Sequence, residues 1–91
     1  MVSKARFRLG QLFSTPGALE ALEFLEMNEF LGRHARGDWG DCCQQDWQSN
    51  DFALLNGGRL FSVYYTSKRV KIWLITEADR SVTTFLLPSE Y

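Results

Sequence analysis

The spacing of the apolar residues changes at Gly57-Gly58. Before this point they recur every three or four residues, the spacing of one helix face. After it, Leu60 to Thr66, Val70 to Thr76 and Val82 to Leu87 are rich in β-branched and aromatic residues and follow a period of two. A single switch of period within 91 residues predicts an α+β fold in one domain, residues 1–91. Two or three short N-terminal helices pack on a C-terminal three-stranded antiparallel meander whose turns are Ser67-Lys68 and Glu77 to Arg80. Residues 6–13 alternate imperfectly and leave room for a short N-terminal edge strand.

Helices are expected over residues 16–26, 28–36 and 42–56. Thr15 and Pro16 are an N-cap followed by proline at the first helical position. Ala18, Leu19, Leu22 and Leu25 form one stripe, with Glu20, Glu23 and Glu26 toward solvent. Asn28 can cap the second helix, and Gly37 can end it. The third places Cys43, Trp47, Asp51, Leu54 and Leu55 near one stripe that Asp51 breaks, so Asp51 should be hydrogen-bonded, at a boundary or functional.

A two-residue loop at Ser67-Lys68 would pair Tyr65 with Val70, Val63 with Ile72 and Phe61 with Leu74 on one face. The helices can cover only one side of so small a sheet. The other would show Leu60, Tyr64, Lys71, Trp73 and Ile75, more apolar surface than a monomer leaves wet. These five residues are the expected binding surface. A second copy in a homodimer, a protein partner, or residues 1–13 through Phe7, Leu9 and Phe13 would cover it. Tyr64, Lys71 and Trp73, flanked by Arg59, Lys68 and Arg69, could also stack single-stranded nucleic acid. That reading ranks lower, because no RNP-like motif is present and such rings more often belong to a core or interface.

Ten basic and eleven acidic side chains leave a net charge of −1, so the chain has no overall field for nucleic acid or an anionic membrane. No apolar run approaches the ~20 residues of a membrane span, and Met1-Val2-Ser3-Lys4 lacks the apolar core of a signal peptide, which predicts a cytoplasmic protein without a membrane partner. Cys42 and Cys43 are adjacent and do not suit a structural disulfide. Zinc-type spacing is absent and His34 is the only histidine, so His34, Asp38, Asp41 and Cys43 make a poor ligand set. No metal and no cofactor are expected.

The polar residues that could carry chemistry lie at element ends: His34 with Asp38, and Thr76, Glu77, Asp79, Arg80 and Thr83 around the second hairpin. A histidine or glutamate base with an arginine for phosphate is what metal-independent RNA cleavage requires. The ordinary alternative is a solvated turn, two strand threonines and a histidine at a helix C-terminus. Geometry decides between them, since His34 must reach Glu77 or Arg80 to act. A non-catalytic interaction module needs no assembled site and is the leading expectation.

Leu9-Gly10-Gln11-Leu12 with Thr15 to Leu22, His34 to Gly40, Gly57-Gly58-Arg59-Leu60, Ile75 to Ser81 with Thr83-Thr84, and Leu87 to Tyr91 together resemble a family of short uncharacterised proteins carried on bacterial plasmids and integrative mobile elements. The resemblance covers nearly the whole chain. It implies an accessory role on a mobile element, that of modulating a host or rival defence system. Members often carry a label tying them to the modification subunit of type I restriction systems. A methyltransferase needs a far larger cofactor-binding sheet and a glycine-rich strand-to-helix turn, and neither is present here. Cys42-Cys43-Gln44-Gln45 replaces more acidic residues in the family's pattern.

Overall fold

A computed structural model describes residues 5–91. The described elements are β1 (Gln11–Ser14), α1 (Pro16–Ala21), α2 (Phe24–Ala35), α3 (Gln44–Asn56), β2 (Leu60–Tyr65), β3 (Lys71–Thr76), β4 (Val82–Leu86) and a closing 3-10 turn, Pro88–Glu90. The class is α+β, as the change of period predicts.

Helix α1 starts where Thr15-Pro16 places it, with the Thr15 hydroxyl accepting from the amide of Ala18. The expected helix over 16–26 is instead broken. Leu22 is extended and buried, and the amide of Glu23 donates to the Glu26 carboxylate at 3.2 Å, which starts α2 at Phe24. Local capping and the burial of Leu22 outweigh the continuous apolar stripe. The polar Asp51 in α3 accepts the indole N–H of Trp39 at 2.9 Å, so its place on the stripe is a bonded one.

The meander β2-β3-β4 is present, and β1 joins it to make a four-stranded sheet of order β1-β4-β3-β2. Because β1 pairs parallel with β4, the sheet is mixed. The expected edge strand over 6–13 is thus shifted to residues 11–14.

The first hairpin corrects the expected register. Its loop holds three residues, with Arg69 in the left-handed region at φ 66° and the Thr66 hydroxyl accepting from the amides of Lys68 and Val70. A left-handed residue closing a three-residue loop adds one position to the hairpin. Tyr64 therefore pairs with Ile72, Val63 with Trp73 and Phe61 with Ile75. A slip of one residue exchanges the two faces. Leu60 and Tyr64 turn under the helices, where Tyr64 stacks on Phe30 with ring centroids 4.7 Å apart, in a core with Ala18, Leu22, Ile72, Leu74 and Phe85. Trp73 lies on the opposite face, edge-on to Phe61 at 5.1 Å and to Tyr91 at 5.6 Å.

The two sheet edges differ. Along β2, Gly40 bridges to Val63, and Asn50 of α3 binds both backbone groups of Phe61, accepting its N–H at 2.9 Å and donating to its carbonyl at 2.6 Å. At the other end, no described residue pairs with the outer edge of β1.

Candidate functional site

Of the residues expected to carry chemistry, the fold gathers His34, Thr76 and Thr83, and adds Ser62. His34 closes α2, Ser62 and Thr76 face it from β2 and β3, and Thr83 lies beside Thr76 on β4. All four are fully buried. The hydroxyl of Thr83 lies 2.6 Å from the carbonyl of Leu9, which can only accept, so Thr83 spends its proton there. Thr76, 2.7 Å from Thr83, must then donate to it. His34 Nε2, 2.8 Å from Thr76, donates in turn, and its bare Nδ1 accepts from Ser62 at 2.5 Å. One direction of donation runs from Ser62 to Leu9 and determines the Nε2–H tautomer.

Burial, reinforced by the charge of Arg80, holds the pKa of His34 down to about 3. Phe7 and Trp39 set their rings against the imidazole, at 5.3 and 5.5 Å between centroids. Ser62 bonded to an imidazole is the first pair of a nucleophilic relay, but a relay needs access to a substrate and a base that protonates near the working pH. With no exposed atom and so low a pKa, this chain of bonds acts as a satisfied polar core, and no buried polar side-chain atom among the described residues lacks a partner.

The other candidates are engaged elsewhere. Arg80, itself left-handed at φ 62°, donates to the carbonyls of Gly58 at 2.5 Å and Ala53 at 3.1 Å, so its guanidinium closes the C-terminus of α3. Asp38 pairs with Arg33 at 2.9 Å and accepts from the amide of Gly40, and the Arg33 guanidinium beside it holds its carboxyl below the usual range. Asp79 accepts from Ser81 within its own turn, and Glu77 is exposed. An open depression of about 660 Å³ lies between Arg8, Gly10, Arg80 and Ser81, with Phe7 as the wall separating it from His34.

Among the described residues no three His, Cys, Asp or Glu side chains come together as a metal site, and no helix is long and apolar enough to cross a membrane. Cys42 donates its S–H to the carbonyl of Phe61, and burial pushes its pKa up to about 11, while Cys43 caps α3 and is exposed.

The expected binding surface is divided. Leu60 and Tyr64 are in the helix-side core, Ile75 is buried on the far face, Trp73 is half-buried there, and only Lys71, which lies over the Tyr65 ring, is exposed. The N-terminal cover does not form as expected either: Phe7 packs on His34 and Trp39, Leu9 supplies a carbonyl, and Phe13 is 53% exposed. Residues 1–4 of that segment lie outside the described residues.

Part of the exposed apolar surface lies around β1, at Leu12, Phe13 and Leu19, while Phe24, Leu25, Phe52, Leu55 and Tyr91 are exposed on other elements. The amides of Gln11 and Thr15 donate to Ser81 and Phe85 of the β4 side, so in this parallel ladder the backbone groups of Leu12 and Ser14 point away from the sheet. Leu12 is 51% exposed, and behind it an apolar pocket of about 350 Å³ lies between Leu12, Ser14, Leu19, Met27, Leu31 and Phe85. Sequence reasoning allowed a short edge strand over 6–13 but read Phe13 as a covering side chain, so it did not mark residues 11–14 as an open edge. The lack of any charge in Gln11-Leu12-Phe13-Ser14 was the available signal.

No protein-family model, no curated protein and no solved structure matches the chain.

Proposed function

We propose that the chain is a non-catalytic protein-interaction module whose contact is the open edge of β1. The observation that supports this reading is an uncharged edge strand with outward backbone groups at Leu12 and Ser14, next to an apolar pocket. Such an edge selects an extended partner by main-chain bonds, and a pocket beside it selects one of that partner's side chains. Edge strands are commonly protected by lysine, proline or a covering element; β1 holds neither lysine nor proline, and no described residue pairs with its outer edge. The resemblance to proteins of plasmids and integrative elements supports an accessory role, with a host or rival defence system as the target.

RNA cleavage has less support, because it would require a base beside a free guanidinium, whereas His34 is enclosed and the guanidinium of Arg80, the arginine expected to serve the exposed Glu77, binds backbone carbonyls.

A photo-reactive phenylalanine analogue placed at Phe13, and in a control at the exposed Gln48, tests the reading in bacterial cells. Cross-linked protein is expected from position 13 and not from 48. Equal yields, or none at 13, would overturn it, as would RNA cleavage by the purified protein that Glu77→Gln abolishes.

A further inference from the structure

We infer that the strand accepted by β1 is β1 of a second copy, paired antiparallel about a twofold axis at Phe13. This inference rests on reading the β1 edge as the contact surface. The edge is complementary to itself in register, charge and shape, which selects a second copy.

In an antiparallel pair, residues that exchange both backbone bonds alternate with residues that exchange none. The outward groups of this edge belong to Leu12 and Ser14. A twofold at Phe13 places Leu12 opposite Ser14 of the second copy, and Ser14 opposite its Leu12, so every outward N–H and C=O of the two residues finds a partner. Shifting the second copy by one residue would set outward groups against inward ones, leaving the bonds unmade.

The same axis places the two Phe13 rings opposite each other as a non-bonded pair, the arrangement in which side chains come closest. Each ring is 53% exposed, and mutual burial removes that surface from water. On the helix side, Leu12 of the second copy lies across from Ser14, which lines the apolar pocket with Leu19 and Met27. The pocket therefore receives a leucine that is itself 51% exposed. No charge occurs between Gln11 and Ser14, so no like charges meet across the axis. The result is an isologous interface that continues the sheet from one copy into the next.

The register makes the test specific. Cα atoms of a non-bonded antiparallel pair lie about 4.5 Å apart, within the range a disulfide spans. In a Cys42→Ser, Cys43→Ser background, mild oxidation of Phe13→Cys should yield a covalent dimer, while Leu12→Cys and Ser14→Cys, each facing the other residue, should not. Sedimentation of the wild type should show mass rising with concentration, and Leu12→Lys should weaken association about tenfold or more while melting as a folded protein. A wild type that stays monomeric at every concentration would overturn the inference, as would a dimer that cross-links equally at 12 and 13. If sedimentation finds only monomer while the Phe13 analogue captures a different protein in cells, the interaction reading stands and self-pairing falls.

Discussion

The hydroxyl of Ser62 donates to Nδ1 of His34 at 2.5 Å, so the imidazole keeps its one proton on Nε2 and stays neutral in the core. The pairing ties the end of α2 to β2 and gives the fold a dependence on acid.

His34 has a folded pKa of about 3, well below its ordinary value near 6.5. Between these values the unfolded chain binds a proton that the native chain refuses, so the stability contributed by neutral His34 is complete above about pH 6.5 and falls as the pH drops toward 3. The slope approaches roughly 1.4 kcal/mol per pH unit within that window. Denaturant melts from pH 7 to pH 4 should show this loss, and His34→Gln should flatten it. Nitrogen NMR should report the Nε2–H tautomer at pH 7.

Thr83→Val keeps the shape of the side chain and deletes the bonds to Leu9 and Thr76. A buried hydroxyl and a carbonyl then lose their partners, and stability should fall by about 1–3 kcal/mol. Thr84→Val, one residue on and on the opposite face, should change stability by no more than about 0.5 kcal/mol. Parallel urea titrations compare the two.

Arg80 combines an unfavourable left-handed backbone with bonds that close α3. Arg80→Ala keeps the first and loses the second, and should cost about 1–2 kcal/mol. Arg80→Gly also loses the bonds but relieves the backbone, so it should be less damaging than alanine. Hydrogen exchange should speed up at Gly57, whose amide donates to the same Ala53 carbonyl, in both variants.

Glu90 reaches back to the start of α1, accepting from the Thr15 hydroxyl at 2.5 Å and the Gly17 amide at 2.9 Å. The Thr15 hydroxyl, followed by the Leu87 amide, holds its carboxyl below the ordinary range. The stability it contributes is present above its unfolded pKa near 4.3 and is lost as the pH falls through the lower folded value. Glu90→Gln should lower the melting temperature at pH 7, and the difference from wild type should shrink in strong acid.

The two thiols differ in setting. With Cys42 half-buried, bonded to Phe61 and raised to about 11, alkylation at pH 8 should modify Cys43 well before Cys42. Peptide mapping after a short exposure to iodoacetamide reads the order.

The amino-acid sequence alone determined that helices precede a three-stranded meander, the Thr15-Pro16 helix start and the end of α3 at Asn56-Gly57. Each depends on spacing or capping within a few residues of the chain. His34, Thr76 and Thr83 were legible only as members of a wider set of polar candidates in which His34 was expected to meet Glu77 or Arg80; that it meets Thr76 and Ser62 instead, sealed from solvent, was not legible from residue type. Tertiary structure decided the rest. The turn of Thr66 and Arg69 moved the register by one residue and parted Tyr64 from Trp73; burial of Leu22 broke the first helix; and pairing with β4 made a strand of Gln11–Ser14. These outcomes depend on partners far along the chain, and because side chains alternate along a strand, one extra loop residue is enough to exchange the covered face of a hairpin for the open one.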